Sequence, residues 1–431
     1  MLKYFRIENA YSYKDSSTID FSADYAKKDL WQFVRNIEGK YFLPVIALYG
    51  SNAGGKTNLC NALIDFTENV YARRDLNIRN RKWGFLLAPN YNEQIKHEVS
   101  LYLKDKNDHY CEFVYKYVFS RRPRRFFEES LTYTDTNTHT NTQKKLGFNR
   151  QGGDVQFIGD YALEYQKQIK TIAKNTDTLI INALGQAITG YGISEIFNWC
   201  RNVEHQIEVL GEVDMLESSM DLAREIAFDS DAKNRLTDFI SKFDKSLRGV
   251  SPRQINNEDN LNNLNSSNEY ELHIQHNMKD TKFSSILLPF EFQSNGAKKI
   301  INLYTKIWQC LQEGSLLVVD ELDTILHPSV FQKIIETFND YKKNPNNAQL
   351  VFTAHNPFIM NREDLRRDQI FIIDKDEYGC SFINRLSDIQ DEFGKPIRSD
   401  AKYDKQYLAG TLGSYPYEFK NVYFYEVTNN E

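Results

Sequence analysis

Apolar positions follow two rhythms along this chain, and the change between them marks its organisation. Val45-Ile46-Ala47-Leu48-Tyr49 is an unbroken apolar run that stops at Gly50, the mark of a strand buried on both faces and entering a loop. Leu59, Ala62, Leu63, Phe66 and Val70 then recur at helical spacing. Between 98 and 119 the pattern alternates, with Val99, Leu101 and Leu103, a polar turn from Asp105 to Asp108, then Phe113, Tyr115 and Tyr117; this predicts a hairpin. The Thr/Asn-rich stretch from Thr134 to Thr142 reads as a loop tip. From about 155 to 250 the helical period takes over. Ile193, Ile196, Phe197, Cys200, Val203, Ile207 and Leu210 predict one helix, and Leu236, Phe239, Ile240, Phe243 and Leu247 another. Neither sustains heptads, so these are packed helices and not a coiled-coil arm. Asn256 to Asn268 is a loop by composition. Strand signals return at Tyr270, Leu272 and Ile274, followed by helix Ala297–Gln312, strand Leu316–Val319, helix Ser329–Lys342 and strand Leu350–Thr353. That βαβ rhythm implies a parallel sheet. The expected fold is α/β: a mixed sheet assembled from both chain ends (1–150 and 286–431), with a mostly helical lobe (151–285) inserted between them.

Composition adds a few exclusions. With 41% hydrophobic and 26% charged residues, the chain has the balance of a soluble globular protein. A net charge of −6 removes any global basic field, so a nucleic-acid contact would have to come from a local patch. Cys60, Cys111, Cys200, Cys310 and Cys380 are dispersed without a CxxC pair, which favours reduced thiols in a cytoplasm over disulfides or a zinc site. The first residues lack the apolar core of a signal peptide, and no uncharged apolar run approaches the roughly 18 residues of a membrane span. A cytoplasmic chain without membrane contact is expected.

Gly50-Ser51-Asn52-Ala53-Gly54-Gly55-Lys56-Thr57 fits GxxxxGK[ST] at every fixed position, and it lies between a strand pattern and a helix pattern. Glycines let such a loop turn successive backbone N–H groups inward onto phosphate oxygens. Lys56 reaches the β and γ phosphates, the Thr57 hydroxyl is a Mg²⁺ ligand, and the following helix adds the positive end of its dipole. ATP with Mg²⁺ is the expected cofactor pair.

Leu316-Leu317-Val318-Val319-Asp320-Glu321 is a second buried-strand pattern, ending in two acids. At such a strand end Asp320 meets the Mg²⁺ of a phosphate loop, and Glu321 polarises the attacking water as general base. Just upstream, Gln293-Ser294-Asn295-Gly296-Ala297-Lys298 opens an apolar helix. Ser294, Asn295 and Gly296 there present a hydroxyl and free N–H groups to an anion, although an ordinary serine cap reads the same way. The strand Leu350–Thr353 is closed by Ala354-His355-Asn356. His355 is either a donor to a γ-phosphate or a surface histidine before a turn.

Phosphate loop, long insertion, SxG helix start, acidic strand end and strand-closing histidine follow the order of ABC-type ATPase heads, which this chain resembles. In that resemblance Ser294, Asn295 and Gly296 stand at the signature motif, contacting ATP bound to the opposite protomer. Leu326-His327 stands at the D-loop and His355 at the switch histidine. Ala297 departs from the pattern, since the family usually has a polar residue or Thr there; Gln94 is the candidate Q-loop glutamine, beside its reading as a surface residue. Phe5-Arg6-Ile7-Glu8-Asn9, Leu326-His327-Pro328, Thr353-Ala354-His355-Asn356, Leu365-Arg366-Arg367-Asp368-Gln369-Ile370 and the closing stretch Tyr407 to Pro416 are similar to the RecF/OLD-like branch. Within it they look most like ATP-binding subunits of bacterial abortive-infection and other anti-phage systems of the RloA, AbiL, AriA and PtuA type.

The likeness implies a slow ATPase, a homodimer or higher homo-oligomer built through the ATP sites, and a sensor that restrains or releases a separate toxic effector such as a nuclease. The insertion is too short for SMC-type arms, and the chain after His355 is too short for the Toprim nuclease domain of OLD proteins. Asp374-Lys375-Asp376 reads better as the start of a hairpin turn running to Gly379 than as a nuclease metal site. Arg121, Arg122, Arg124 and Arg125 beside Phe126 and Phe127 are either a nucleic-acid contact, with arginines on phosphates and phenylalanines stacking, or a solvated hairpin end with the rings turned inward. A RecF-type DNA-repair clamp and a scaffold that binds ATP without hydrolysing it are the competing expectations.

Overall fold

A computed structural model describes residues 1–25, 29–72, 94–121, 124–135, 144–159, 163–206, 212–255, 270–279, 284–361, 363–390, 394–398 and 401–412. The chain opens with β1 (Leu2–Glu8), β2 (Ser17–Asp20), β3 (Arg35–Ile37), β4 (Lys40–Phe42), β5 (Val45–Gly50) and α1 (Lys56–Tyr71). A meander comes next: β6 (Ile95–Lys104), β7 (Tyr110–Arg121), β8 (Arg124–Asp135), β9 (Lys144–Gln151) and β10 (Asp154–Ile158). Then come α2 (Leu163–Ala173), α3 (Ile180–Leu184), α4 (Ile193–Arg201), β11 (Glu204–Gln206), α5 (Glu212–Phe228), α6 (Ser230–Phe243), β12 (Leu247–Gln254), β13 (Tyr270–Asn277) and β14 (Ser285–Pro289). The last third holds α7 (Asn295–Glu313), β15 (Leu316–Val319), α8 (Leu322–Ile325), α9 (Pro328–Asn339), β16 (Gln349–Thr353), β17 (Ile370–Lys375), β18 (Ser381–Arg385) and α10 (Tyr403–Leu408).

Two large sheets carry the structure. One is antiparallel, in the order β10-β9-β8-β7-β6-β1-β2. The other runs β11-β15-β16-β5-β17-β18 and is parallel except for its last pair. The second sheet is the expected mixed one, with β5 from the first part of the chain seated between β16 and β17. Its strands read as continuous apolar runs because both faces are covered. Ile46 and Leu48 of β5 enter one core with α1 and the antiparallel sheet, whereas Val45, Ala47 and Tyr49 enter a second core with α7, α9 and α10. Helix α1 is tied to the antiparallel sheet through Phe66, whose ring stacks on Tyr117 at 5.6 Å and meets Phe5 edge-on at 5.9 Å. The architecture is α/β, with a phosphate-loop sequence joining β5 to α1 at one edge of a mixed, mainly parallel sheet.

The inserted segment divides between two cores. Helices α2, α3 and α4 bury Ile169, Ile180, Ile181, Ile193 and Ile196 in the first core, against the meander. A third core joins α5, α6 and the antiparallel sheet β12-β13-β14 to Ile301 of α7, so the outlying lobe is part sheet and spans about 216 to 301. The two predicted helices end early. The first stops at Arg201, where Asn202 takes over the cap and the chain turns into β11; Ile207 and Leu210 lie outside the described residues. The second stops at Phe243, where Asp244 is extended, so Leu247 begins a strand. In both, an apolar residue past the helix end is still buried, Val203 in the first core and Leu247 in the third, which helical periodicity cannot distinguish. Residues 136–142 of the Thr/Asn-rich stretch, the Asn-rich 256–268 and the closing 413–416 also lie outside the described residues. No helix among the described residues is long and apolar enough to cross a membrane.

Candidate functional site

The phosphate loop joins β5 to α1 at the carboxyl edge of the parallel strands, where α/β sheets bind ligands. Two glycines are required by close approach. Gly50 has φ +146°, and a Cβ there would sit 1.9 Å from the Ile373 carbonyl oxygen; Gly55 has φ +122°, and its Cβ would sit 2.4 Å from Ser381 Oγ. The loop is wired to distant parts of the chain. Gly50 N–H donates to the Tyr407 hydroxyl at 3.1 Å, Tyr13 donates to the Gly55 carbonyl at 3.0 Å, and Ser381 Oγ donates to the Gly54 carbonyl at 2.6 Å. Ser51, Asn52 and Ala53 form the more open crest.

Lys56 is buried, and its ammonium donates to the carbonyls of Gly50 at 2.9 Å and Ser51 at 3.0 Å. Burial lowers its pKa, opposed by the charges of Asp320, Glu321 and Asp323, which places all three acids in its electrostatic neighbourhood. Below it, burial and then the Asp320 charge push the Cys60 thiol well above its usual range. Thr57 Oγ1 donates to Asp320 Oδ2 at 2.7 Å. A threonine hydroxyl and a carboxylate within 3 Å are hard oxygen donors of the kind Mg²⁺ prefers, and this ion takes few protein ligands because phosphates and waters supply the others. No group of three or more His, Cys, Asp or Glu among the described residues forms a self-sufficient metal cage. The residues therefore fit a nucleotide-borne Mg²⁺.

Glu321 follows directly, in a left-handed backbone conformation with φ +51°. Its Oε1 lies 3.6 Å from His355 Nε2, and both side chains are about one-third exposed, at 33% and 36%. Thr353, fully buried at the end of β16, donates to Asp320 Oδ1 at 2.6 Å and accepts the Glu321 N–H at 2.7 Å. Asp323 Oδ2 accepts the N–H groups of His355 at 2.9 Å and Asn356 at 2.7 Å. Lys56, Thr57, Asp320, Glu321 and His355 are thus gathered at one edge of the sheet.

Ser294, Asn295 and Gly296 are placed differently. All three are exposed, and Ser294 Oγ caps α7 by accepting the Ala297 N–H at 3.2 Å. Among the described residues no hydrogen bond joins them to the phosphate loop of their own chain. Leu326 is buried, whereas His327 is exposed and caps α9 through the Ser329 N–H. Gln94 precedes β6, where its carbonyl accepts from the Asn9 side chain at 3.5 Å, and no hydrogen bond among the described residues links its side chain to the loop. Asp376 Oδ1 accepts the N–H groups of Tyr378 and Cys380, so Asp374 to Gly379 is the hairpin turn between β17 and β18. The arginine cluster lies at the β7–β8 turn. Phe126 is buried against Tyr117 and Phe119 and so cannot stack on a base, and Arg125 lies 5.4 Å from the Phe127 ring. Side chains of Arg121, Arg122 and Arg124 lie outside the described residues.

Sequence reasoning did not assign the tasks of Thr353, Asp323, Ser381 and Tyr407. Thr353 and Tyr407 stood in stretches that carry the family resemblance, though without these tasks; Asp323 and Ser381 stood in no quoted motif, and only the fold brings Ser381 and Tyr407 to the loop.

A family model described as "AAA domain, putative AbiEii toxin, Type IV TA system" matches residues 45–361, from the strand before the phosphate loop to just past His355. No curated protein sequence matches the chain. Among solved structures it is similar to an SMC head bound to the C-winged helix domain of ScpA, with 13% identity, 89% of this chain and 96% of that chain covered, and a TM-score of 0.47. The SMC head domain from Thermotoga maritima aligns at 12% identity over 89% of this chain and 98% of that one, with a TM-score of 0.38. An Smc head with an extended coiled coil, bound to the C-terminal domain of ScpA and derived from Pyrococcus furiosus, aligns at 12% over 89% and 95%, with a TM-score of 0.45. The family match spans well over half of the 431 residues, and the chain belongs to this family of AAA-domain ATPases.

Proposed function

We propose that this chain hydrolyses Mg-ATP at sites shared between two copies, and that the resulting closure gates a separate toxic effector, such as a nuclease, in bacterial anti-phage defence. The observation that carries the reading is the convergence of Thr57 on Asp320 at 2.7 Å with Glu321 lying 3.6 Å from His355. Mg²⁺, when bound, neutralises charge across the β and γ phosphates. Thr57 and Asp320 hold it, Lys56 and the loop amides hold phosphate oxygens, and Glu321 takes the proton of the attacking water. His355 donates to the terminal phosphate and distinguishes ATP from ADP. Ser294 and Gly296 sit exposed at the start of α7, where a hydroxyl and helix N–H groups are open to an anion carried by a second copy. A closed dimer that binds ATP better than ADP shifts its population with the nucleotide state. The toxin–antitoxin description of the family supports the regulatory role.

Lys56→Ala is expected to abolish nucleotide binding. Glu321→Gln is expected to bind ATP, lose at least about 100-fold in turnover and elute as a dimer in ATP. A Glu321→Gln variant that turns over at the wild-type rate, or that stays monomeric with ATP, refutes the shared-site reading.

A further inference from the structure

We infer that Thr353 and Asp323 are positioning residues that hold the Glu321 carboxylate and the His355 imidazole as one rigid pair; this rests on the proposed hydrolysis at Glu321. Strands β15 and β16 are parallel neighbours and end side by side, with Val319 paired to Phe352. Residues at or just past each strand end reach across to the other. From β16, Thr353 Oγ1 binds both the Asp320 carboxylate (2.6 Å) and the Glu321 N–H (2.7 Å). From beyond β15, Asp323 Oδ2 binds the N–H groups of His355 (2.9 Å) and Asn356 (2.7 Å). Four hydrogen bonds therefore cross in both directions between the same two strand ends.

Each half of this lock has a task beyond folding. Glu321 adopts φ +51°, a conformation an L-residue keeps only where its neighbours over-determine it. Its one amide bond goes to Thr353, which is fully buried and has no water to substitute for that partner. Asp323 keeps its Oδ1 buried without a hydrogen-bond partner among the described residues. A carboxylate oxygen left in that state opposes folding, so the reason for an acid at this position lies in its charge near Lys56 or in the bonds it makes. Its two amide bonds fix the turn that carries His355. The 3.6 Å approach of Glu321 Oε1 to His355 Nε2 is then set by Thr353 on one side and Asp323 on the other.

The chemistry dictates which substitutions are tolerated. Thr353 must donate to a carboxylate and accept from an amide at once, which any hydroxyl does and a methyl does not. Asp323 must accept two N–H groups, which needs an oxygen but no charge. Steady-state ATPase rates and fluorescent-ATP affinities of wild type, Glu321→Gln, Thr353→Val, Thr353→Ser, Asp323→Ala and Asp323→Asn test this, with circular dichroism to establish folding. Thr353→Val and Asp323→Ala are expected to lower kcat by about 10- to 100-fold while KM and Kd for ATP stay within about threefold. Thr353→Ser and Asp323→Asn are expected to stay within about threefold of the wild-type kcat. The inference is overturned if Thr353→Val and Asp323→Ala turn over normally, if they lose affinity as much as kcat, or if the Ser and Asn variants are equally impaired. If Thr353→Val does not fold, Asp323→Ala, at a partly exposed residue, decides alone. Turnover that survives Glu321→Gln overturns the hydrolytic reading and this inference with it. Turnover lost in Glu321→Gln but kept in Thr353→Val and Asp323→Ala overturns only the inference.

Discussion

At the scale of single residues, environment outweighs identity, and His97 shows how far. It sits on β6 with both ring nitrogens buried and without hydrogen-bond partners among the described residues, packed against Tyr117 at 5.1 Å and Phe5 at 6.1 Å. Burial pushes its pKa from 6.5 down to about 3. Between those two values the unfolded chain binds a proton that the folded chain refuses, so stability rises with pH across the window and falls on acidification. Moving from pH 6.5 to 5 is expected to cost about 2 kcal/mol through this group. His97→Leu removes the effect, and thermal melts at the two pH values should show a smaller drop in Tm for the variant; equal drops would refute the assignment. The same scale separates what a sequence reveals from what it hides. Gly50–Thr57 and Asp320-Glu321 are legible because their chemistry depends on residue types at fixed spacing. Tyr407, by contrast, meets Gly50 across 357 positions, and Thr353 acquires its two partners only because β15 and β16 end together. Spacing along the chain records neither.

At the scale of elements, the hydrophobic pattern located the strands and helices that carry the candidate site, β5, α1, α7, β15 and β16, and it failed where a polar residue is buried or an apolar one outlasts its helix. Val203 and Leu247 continue a helical stripe on paper, but each lies past the last helical turn. Glu129 and Arg150 are charged residues on the inward face of β8 and β9, in line with Leu131 and Phe148, and neither has any exposed side-chain surface. Their ion pair at 3.3 Å fastens the meander to the helical segment behind it. Arg150 donates to the carbonyls of Thr178 and Asn175, and Glu129 accepts the N–H groups of Ile180 and Ile181 at the start of α3. Burial raises the Glu129 pKa, and Arg150 followed by those amides works against it. Arg150→Met would leave that carboxyl in the core without its cation, at a cost of about 3–5 kcal/mol in denaturant unfolding. Adding Glu129→Gln should recover part of the loss. A cost below about 1 kcal/mol would show the pair to be dispensable.

At the scale of the whole molecule, α7 links the parts. Its N-terminus presents Ser294, Ile301 packs into the lobe core, and Leu303 and Cys310 pack under the parallel sheet. The lobe grips the same helix through Ser218 on Asn302 at 2.9 Å and Arg235 over Trp308 at 4.1 Å, so any force on the lobe bears on the exposed helix start. If that start completes the site of a second copy, inactive subunits should complement one another. Lys56→Ala spoils the phosphate loop and Ser294→Arg spoils the exposed helix start, so each homodimer has two dead sites. A mixed dimer pairs the intact loop of the Ser294→Arg chain with the intact helix start of the Lys56→Ala chain, and its other site carries both lesions. With random pairing, half of the dimers are mixed and each holds one good site, so the mixture is expected to recover roughly a quarter of the wild-type ATPase rate. A site contained within one chain predicts no recovery at any mixing ratio, because neither subunit then supplies what the other lacks.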